Sequence, residues 1–247
     1  MRVSSPTPSI MDLESIPCTH AYVSNSLKNE TIRIYISGDV VLGDSFFEST
    51  TNLEEVHFNG NIKVGKECFY NCSKLTTLTG EQGIYYVGVS SFNNCNLTGT
   101  LDLSNCGNFS DYSFYSNPNL NYIYFPRPIT KNASSGMEHC FDGCVNLDGI
   151  VVMDNANTGN LHSTSFQNTR ISTFMFMADV EYKPTAFLKN IATPNPTLYV
   201  CLDWDDGSTW DDVNSKTTIY ELEEDYGFTI VFYEKEQEQE ILNSLGV

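Results

Sequence analysis

One aromatic residue recurs along this chain at a nearly fixed interval. Seven phenylalanines stand in the same short sequence context and are separated by 22, 23, 22, 27, 25 and 21 residues. They are Phe47, Phe69, Phe92, Phe114, Phe141, Phe166 and Phe187. A period of about 20 to 50 residues is typical of solenoids, whose stacked units each bury too little apolar surface to be stable alone. The spacing therefore predicts an elongated stack of repeats.

Apolar residues follow each phenylalanine, usually at the sixth, ninth and eleventh positions. The clearest sets are Leu53, Val56 and Phe58 after Phe47, Leu120, Ile123 and Phe125 after Phe114, and Leu147, Ile150 and Val152 after Phe141. The last two residues of a set are two positions apart, so they point to one face of a strand and the residue between them to the other. Ile32, Ile34 and Ile36 predict a further strand before the first phenylalanine. We expect these strands to lie side by side in a parallel sheet, with the phenylalanines as a spine on the opposite wall of the core.

Small side chains flank the phenylalanine at two positions. Three residues after it stand Cys72, Cys95 and Cys144, or threonine and asparagine in the other repeats. We expect these side chains to bond the backbone of the turn that enters the strand. One residue before it stand Cys68, Cys140, Ala186 and several serines. This second position predicts a slot that admits only small side chains.

The repeat pattern, G-x-x-[small]-F-x-x-C-x-x-L-x-x-I-x-[IVF], resembles the BspA-like, or Treponema pallidum type, class of leucine-rich repeats. It is clearest in residues 65–78 and 136–150, and it extends over roughly residues 32 to 200. The resemblance implies a right-handed leucine-rich-repeat solenoid of about seven repeats of 21–27 residues, with a parallel sheet on its concave face. It also implies a surface-exposed or secreted protein that functions in adhesion and binds host or matrix molecules.

The repeats divide the chain into three parts. Residues 1–30 form a non-repeat N-terminal arm, linker or attachment segment, and residues 31–202 contain the repeats. Residues 203–247 are predicted to form a C-terminal cap and acidic tail. In this cap a helix starts at Ser208 and ends at Gly227, a closing strand covers residues 228–233, and the last residues form a short helix that docks weakly or frays. The apolar residues expected on the first helix are Trp210, Val213, Ile219 and Leu222.

The charge of the chain excludes some classes of partner. There are 31 acidic and 13 basic residues, a formal net charge of −18. Nucleic acid and anionic membrane surfaces are not expected partners, because binding to phosphates requires clustered lysine and arginine.

No apolar run approaches the roughly 20 residues of a membrane span, so membrane insertion is not expected. Residues 1–13 lack the apolar core of a secretory signal. We expect an extracellular or cell-surface location if a signal was removed, with export by another route or retention in the cell as alternatives.

Eight cysteines raise the question of disulfides or metal. Five of them occupy repeat positions shared with alanine, serine, threonine and asparagine, so buried free thiols are expected, with disulfides or a metal site as alternatives.

The densest acidic cluster, residues 203–212, does not have the spacing of an EF-hand loop, and both calcium binding and a solvated turn stay open there. No catalytic motif is present, and the four histidines lie in unrelated places. We expect a non-enzymatic protein without metal or cofactor.

The outward-facing strand positions are the candidate binding residues, with a protein or a glycan as partner. Tyrosine is a common binding anchor, although tyrosine and threonine also suit an exposed sheet without any ligand. The alternative hypothesis is a structural component of a phage virion or surface appendage, docked by its N-terminal arm. The sequence identifies neither the ligand nor the oligomeric state. The candidate residues are Tyr35, Glu55, His57, Thr77, Thr79, Thr100, Asp102, Tyr122, Tyr124, Val151, Thr173, Met175 and Tyr199, with Gly149 between them.

Overall fold

Parallel strands, stacked one per repeat, form the body of the molecule. The computed structural model describes residues 9–14, 32–124, 137–153, 162–177, 188, 190–201 and 221–246. Strand pairing advances by one repeat at a time, so that Tyr35 pairs with His57 and His57 with Thr79. The prediction of a leucine-rich-repeat solenoid with a parallel sheet is confirmed.

Two walls of the solenoid carry strands. On the main wall, the hydrogen-bonded strand sets β1-β2-β4-β6, β8-β9 and β10-β11-β12-β13 follow one another along the stack. The gap between the first two sets is bridged by the Thr98 amide, which donates to the Thr76 carbonyl at 3.0 Å, and the next gap by a β-bridge between Tyr122 and Asp148. The main-wall strands are β1 (Ser9–Glu14), β2 (Ile32–Ser37), β4 (Leu53–Asn59), β6 (Thr77–Thr79), β8 (Gly99–Asp102), β9 (Leu120–Tyr124), β10 (Ile150–Met153), β11 (Thr173–Phe176), β12 (Thr197–Cys201) and β13 (Thr229–Tyr233), and the second-wall strands are β3 (Val40–Leu42), β5 (Ile62–Val64) and β7 (Ile84–Val87).

Neither β1 nor the second wall was predicted. β1 lies within the segment expected to be a non-repeat arm, yet it pairs in parallel with β2, with Ser9 opposite Ile32. The second wall had a signal in the sequence, because the buried residues of β3 and β5 lie seven and five positions before their phenylalanines, as Val40 and Leu42 do before Phe47. These pairs alternate in the manner of strands.

The predicted phenylalanine spine is confirmed over six repeats. Neighbouring rings from Phe47 to Phe166 stack with centroids 5.1 to 5.5 Å apart and interplanar angles of 3° to 15°. All six side chains are at most 1% exposed. Phe187, the seventh, lies outside the described residues. The rings therefore form one continuous column inside the solenoid, and each ring supports the next.

The turns around the phenylalanines from Phe47 to Phe114 have an unusual backbone. The residues two before and two after the phenylalanine adopt positive φ, as at Glu67 (55°) and Asn71 (58°) around Phe69. In this conformation the amides of all three residues point along the stack and donate to carbonyls of the next repeat. The bonds are Glu67 to Val89 at 2.8 Å, Phe69 to Ser91 at 2.7 Å and Asn71 to Asn93 at 3.0 Å. The same three bonds recur from the Phe47 repeat to the Phe114 repeat.

The position three after the phenylalanine bonds the backbone, as predicted. The Cys72 thiol donates to the Phe47 carbonyl of the preceding repeat at 3.1 Å, and the Asn117 amide donates to the Phe92 carbonyl at 2.8 Å. Cys95 and Cys144 make equivalent bonds to the carbonyls of Phe69 and Phe114, each at 3.2 Å. Thiol and amide are interchangeable here because the position requires only a small donor.

The slot one before the phenylalanine is not always small. In the first repeat it holds Phe46, which is 3% exposed and packs edge-on against Phe47 with centroids 4.6 Å apart. The prediction of small side chains only is therefore wrong for this repeat. Later repeats obey it, because there the slot is enclosed by the neighbouring turns, as where the Ser113 hydroxyl lies 2.9 Å from the Cys140 thiol.

One repeat differs in register from the prediction. Val151 faces the core opposite Phe174, whereas Ile150 and Val152 face outward. The sequence predicted the reverse. The register changes before this strand, because Asp148, seven residues after Phe141, pairs with Tyr122, which lies eight residues after Phe114. Gly149, next to β10, has φ 145° and is buried against the Tyr122 ring.

The C-terminal cap is partly described. Helix α1 covers residues 221–226 and ends before Gly227, which has φ 70°, so the predicted end of this helix is confirmed. Leu222 and Phe228 are buried in the main core, and β13 follows as the predicted closing strand. Helix α2 (Glu238–Leu245) comes last. The predicted start at Ser208, and Trp210, Val213 and Ile219, lie outside the described residues.

Burial accounts for the cysteines without any disulfide. The seven described cysteines are buried and form no disulfide with one another, and Cys18 lies outside the described residues. Burial raises the pKa of Cys72, Cys106 and Cys144 to about 12. The expectation of buried free thiols is confirmed for Cys68, Cys72, Cys95, Cys106, Cys140 and Cys144.

Replacing Phe114 by alanine should lower the free energy of unfolding by about 3–5 kcal/mol, because the ring is fully buried between two others in the column. Phe232→Ala is the matched control, since that ring is 47% exposed and should cost no more than about 1 kcal/mol. Urea denaturation of both variants gives the comparison. Equal losses would contradict the role of the column.

The thiols should react slowly in the native protein and completely in denaturant. A thiol with a pKa near 12 stays protonated, and hence unreactive, until the pH approaches that value. Intact mass after alkylation at about pH 8, with and without denaturant and with no reductant, measures this difference. Cysteines that resist labelling in denaturant would indicate disulfides instead.

Candidate functional site

Outward side chains on the main wall form two rows across β2, β4, β6, β8 and β9. Strand pairing aligns equivalent residues of neighbouring repeats, and the two rows together are called the open face here. One row contains Tyr35, His57, Thr79, Asp102 and Tyr124, and the other contains Arg33, Glu55, Thr77, Thr100 and Tyr122. Nine of these ten are candidate residues from the sequence, and Arg33 is the addition. Its signal was the alternation of β2, which places it beside Tyr35 on the outward side.

Tyr35 and His57 form a flat aromatic pair at one end of the open face. Their rings stack with centroids 4.5 Å apart at an angle of 15°. The His57 ring is held at both nitrogens, by the Thr79 hydroxyl at 2.6 Å from Nδ1 and by the Glu55 carboxylate at 3.3 Å from Nε2. Arg33 pairs with the same carboxylate, 3.2 Å from Nε to Oε2. Tyr35 remains 40% exposed, so this fixed aromatic pair is accessible to solvent.

Tyr122 and Tyr124 form a second aromatic pair at the other end. Their rings meet at 65° with centroids 5.1 Å apart. Tyr124 is 51% exposed, whereas Tyr122 is half-buried beside Gly149. Partial burial, with smaller contributions from Tyr124 and Asp148, raises the pKa of the Tyr122 hydroxyl, which therefore stays a neutral donor at neutral pH.

Polar groups lie between the two aromatic pairs. The hydroxyl-bearing Thr79 and Thr100 are exposed, and Thr77 is half-buried. Asp102 is fixed by Ser104, whose hydroxyl donates to its carboxylate at 2.6 Å. Gly99 has open space where a side chain would lie, so the surface is low at this point.

Helix α2 covers the outer side of the main wall beyond β9. Leu242 is 2% exposed and packs in a cluster with Met175 and Val152, and the Tyr233 hydroxyl beneath it donates to the Phe176 carbonyl at 2.8 Å. The sequence had predicted a weakly docked or frayed tail. It could not indicate where the apolar side of this helix would lie, because residues near in space are far apart in the chain.

The candidate residues in β10, β11 and β12 consequently do not belong to the open face. Val151 was predicted to face outward but lies in the core, because of the register change in β10. Met175 does face outward, as predicted, but is fully buried by the α2 cluster. Thr173 and Tyr199 are half-buried, and Tyr199 packs against the same cluster. The structure thus brings together the candidates from Tyr35 to Tyr124 and separates the rest from them.

The described residues contain neither a metal-binding cluster nor a membrane-spanning helix. No group of three or more histidine, cysteine, aspartate or glutamate side chains among them could hold a metal ion. No helix in the same residues is long and apolar enough to cross a membrane. The acidic stretch at residues 203–212, where calcium binding was left open, lies outside the described residues.

Comparison with known families agrees with this geometry. A profile described as BspA type leucine rich repeat region matches residues 40–168 and 104–193, with six copies of the repeat. The chain belongs to this family. BspA-type proteins commonly function in adhesion or protein binding, and leucine-rich-repeat solenoids are typically non-enzymatic. Comparisons with curated proteins and with solved structures found no significant match.

Replacing Leu242 by alanine should lower the free energy of unfolding by about 2–4 kcal/mol, because this BspA-type chain buries the side chain between α2 and the main wall. The matched control is Asn243→Ala, an exposed neighbour on the same helix. Binding of a hydrophobic dye should rise in L242A alone as Met175 and Val152 become exposed. Identical behaviour of the two variants would mean that α2 does not cover this face.

Proposed function

We propose that this BspA-type protein is a non-enzymatic recognition protein that binds a protein or a glycan through the open face, outside the cell or at its surface. The observation that carries the proposal is the pair of aromatic clusters at the two ends of a polar face that no other described element covers. Tyr35 and Tyr124 are among the most exposed large side chains of the described residues. Both lie on the same wall.

The aromatic clusters are suited to binding because they are already ordered. Tyr35 is stacked on His57, whose ring is held by Thr79 and Glu55. An exposed ring that is fixed before binding loses little conformational entropy when a partner arrives. Tyrosine also combines a large apolar surface with a hydroxyl that can donate or accept a hydrogen bond. These properties are typical of residues that dominate binding energy.

The charge of the chain limits the partner. A net charge of −18 repels anionic surfaces and attracts basic ones at long range, and it neither attracts nor repels neutral ones. Arg33 is the one arginine or lysine on the open face, and its charge is compensated by Glu55. A partner that depends on phosphate or sulfate groups would find no group to pair with there.

The virion or appendage hypothesis stays a prediction, as does the location of the protein. In that hypothesis residues 1–30 attach the protein to a particle. Because β1 lies in this segment and pairs with β2, its removal would also expose an edge of the main sheet. Incorporation of the protein into a particle, abolished by loss of the segment but unaffected by changes at Tyr122 and Tyr124, would favour the alternative.

Changing Tyr122 and Tyr124 together to serine should weaken binding at least tenfold while the fold is retained, since neither ring belongs to the main core. Binding of purified collagen, fibronectin and laminin, and of an array of defined oligosaccharides, measures the effect. Tyr85→Ser is the matched control, because Tyr85 is 44% exposed in β7 on the second wall. Circular dichroism confirms that each variant is folded.

Equal loss of binding in the double variant and in Y85S would contradict the open face as the binding surface. Unchanged binding in both variants would do the same. Unfolding of the double variant would instead contradict the assignment of these tyrosines to the outward side. The Tyr35→Ser variant then tests the other end of the same face.

A further inference from the structure

We infer that the open face binds a neutral oligosaccharide whose chain lies across the strands, from the Tyr35 and His57 pair to the Tyr122 and Tyr124 pair. This inference rests on the proposed function and specifies its partner. Its support comes from the size of the face, the chemistry along it and the spacing of the strands.

The open face is too small for a globular partner. It spans five strands at about 4.8 Å each and two outward residues along each strand, and β1 adds one more strand beside β2, which gives roughly 300–600 Å² in all. A standard protein interface requires about 800 Å² from each partner. Helix α2 prevents the face from extending further along the stack, because it buries the outward residues beyond β9. A narrow, linear ligand fits the remaining strip.

The chemistry along the strip matches a sugar chain. A pyranose ring has apolar C–H faces, which pack on exposed aromatic rings, and hydroxyls around its edge, which exchange hydrogen bonds with polar side chains. The open face offers rings at both ends, at Tyr35 and Tyr124, and hydroxyls between them, at Thr79 and Thr100. The Asp102 carboxylate adds an acceptor in the same row.

An extended peptide fits the face less well. Peptides that bind sheets do so at an edge, where unpaired backbone groups of the last strand form hydrogen bonds with them. The open face presents mainly side chains, because β2 and β4 are each bonded to a strand on both sides, and beside β6 the Thr98 amide donates to the Thr76 carbonyl. A basic peptide would be attracted by the charge of the chain, but the carboxylate of Glu55 is already paired with Arg33.

The repeat spacing sets the length of the preferred ligand. Successive strands are about 4.8 Å apart, close to the length that one sugar unit adds to an extended chain. Five strands therefore accommodate about five units, one over each strand. Affinity should rise with chain length until both aromatic pairs are contacted and should then level off.

The test uses the full-length protein with unbranched gluco-, manno- and galacto-oligosaccharides of increasing length, titrated by calorimetry. We expect at least one series to bind, with an affinity that reaches its plateau at about five units. Sialylated and sulfated chains of the same length should bind at least tenfold more weakly. Tyr35→Ala and Tyr124→Ala should each reduce the affinity for a plateau-length chain at least tenfold, and Tyr85→Ala should not.

Several outcomes would overturn the inference. They are binding of none of the neutral series, binding of a monosaccharide as tightly as of a long chain, a preference for the anionic chains, and an equal loss in Y85A. If the neutral series does not bind but a matrix protein binds in a manner that depends on Tyr122 and Tyr124, the inference fails and the proposed function stands. If neither depends on these tyrosines, both fail.

Discussion

The stack depends on the hydrogen bonds that the turn around each phenylalanine makes with the next repeat. In the turns from Phe47 to Phe114 they require positive φ at two non-glycine positions, which costs about 1 kcal/mol or more at each. The cost is offset because three amides per turn find carbonyl partners, and because the same geometry places each ring 5.1 to 5.5 Å from the next. This ring spacing is close to the roughly 4.8 Å between paired strands. The hydrogen bonds of the turns, the column of rings and the sheet therefore advance by nearly the same distance per repeat, so none of them strains the others.

The parts of the fold that the sequence predicted are those that recur in every repeat. The spine from Phe47 to Phe166, the donor role of Cys72 and the buried thiols all depend on contacts between equivalent residues of adjacent repeats. A single repeat that differs was harder to interpret. Ile150, Val151 and Val152 are all β-branched and apolar, so their composition cannot show which of them faces the core, and the one-residue change of register before β10 decides it.

The candidate site was predictable only in part, for a different physical reason. The outward positions from Tyr35 to Tyr124 followed from strand alternation. Their separation from Met175 and Tyr199 depends on α2, whose Leu242 contacts residues that are far away in the chain. Whether an outward-facing residue is exposed or buried depends on the tertiary structure. The face proposed for recognition is therefore defined as much by the helix that ends it as by the strands that build it.

The turn ladder also has a direction. In the turns from Phe47 to Phe114, the three backbone amides of the earlier repeat donate to carbonyls of the later one, as Ser45 does to Lys66 and Tyr112 to Glu138. The backbone ladder of these turns therefore presents acceptors toward the N-terminal end of the stack and donors toward the C-terminal end. The two ends of such an array are chemically unlike, so they require different caps. Two arrays could join through these edges only head to tail, and duplication of a repeat within the chain would always create the same favourable junction.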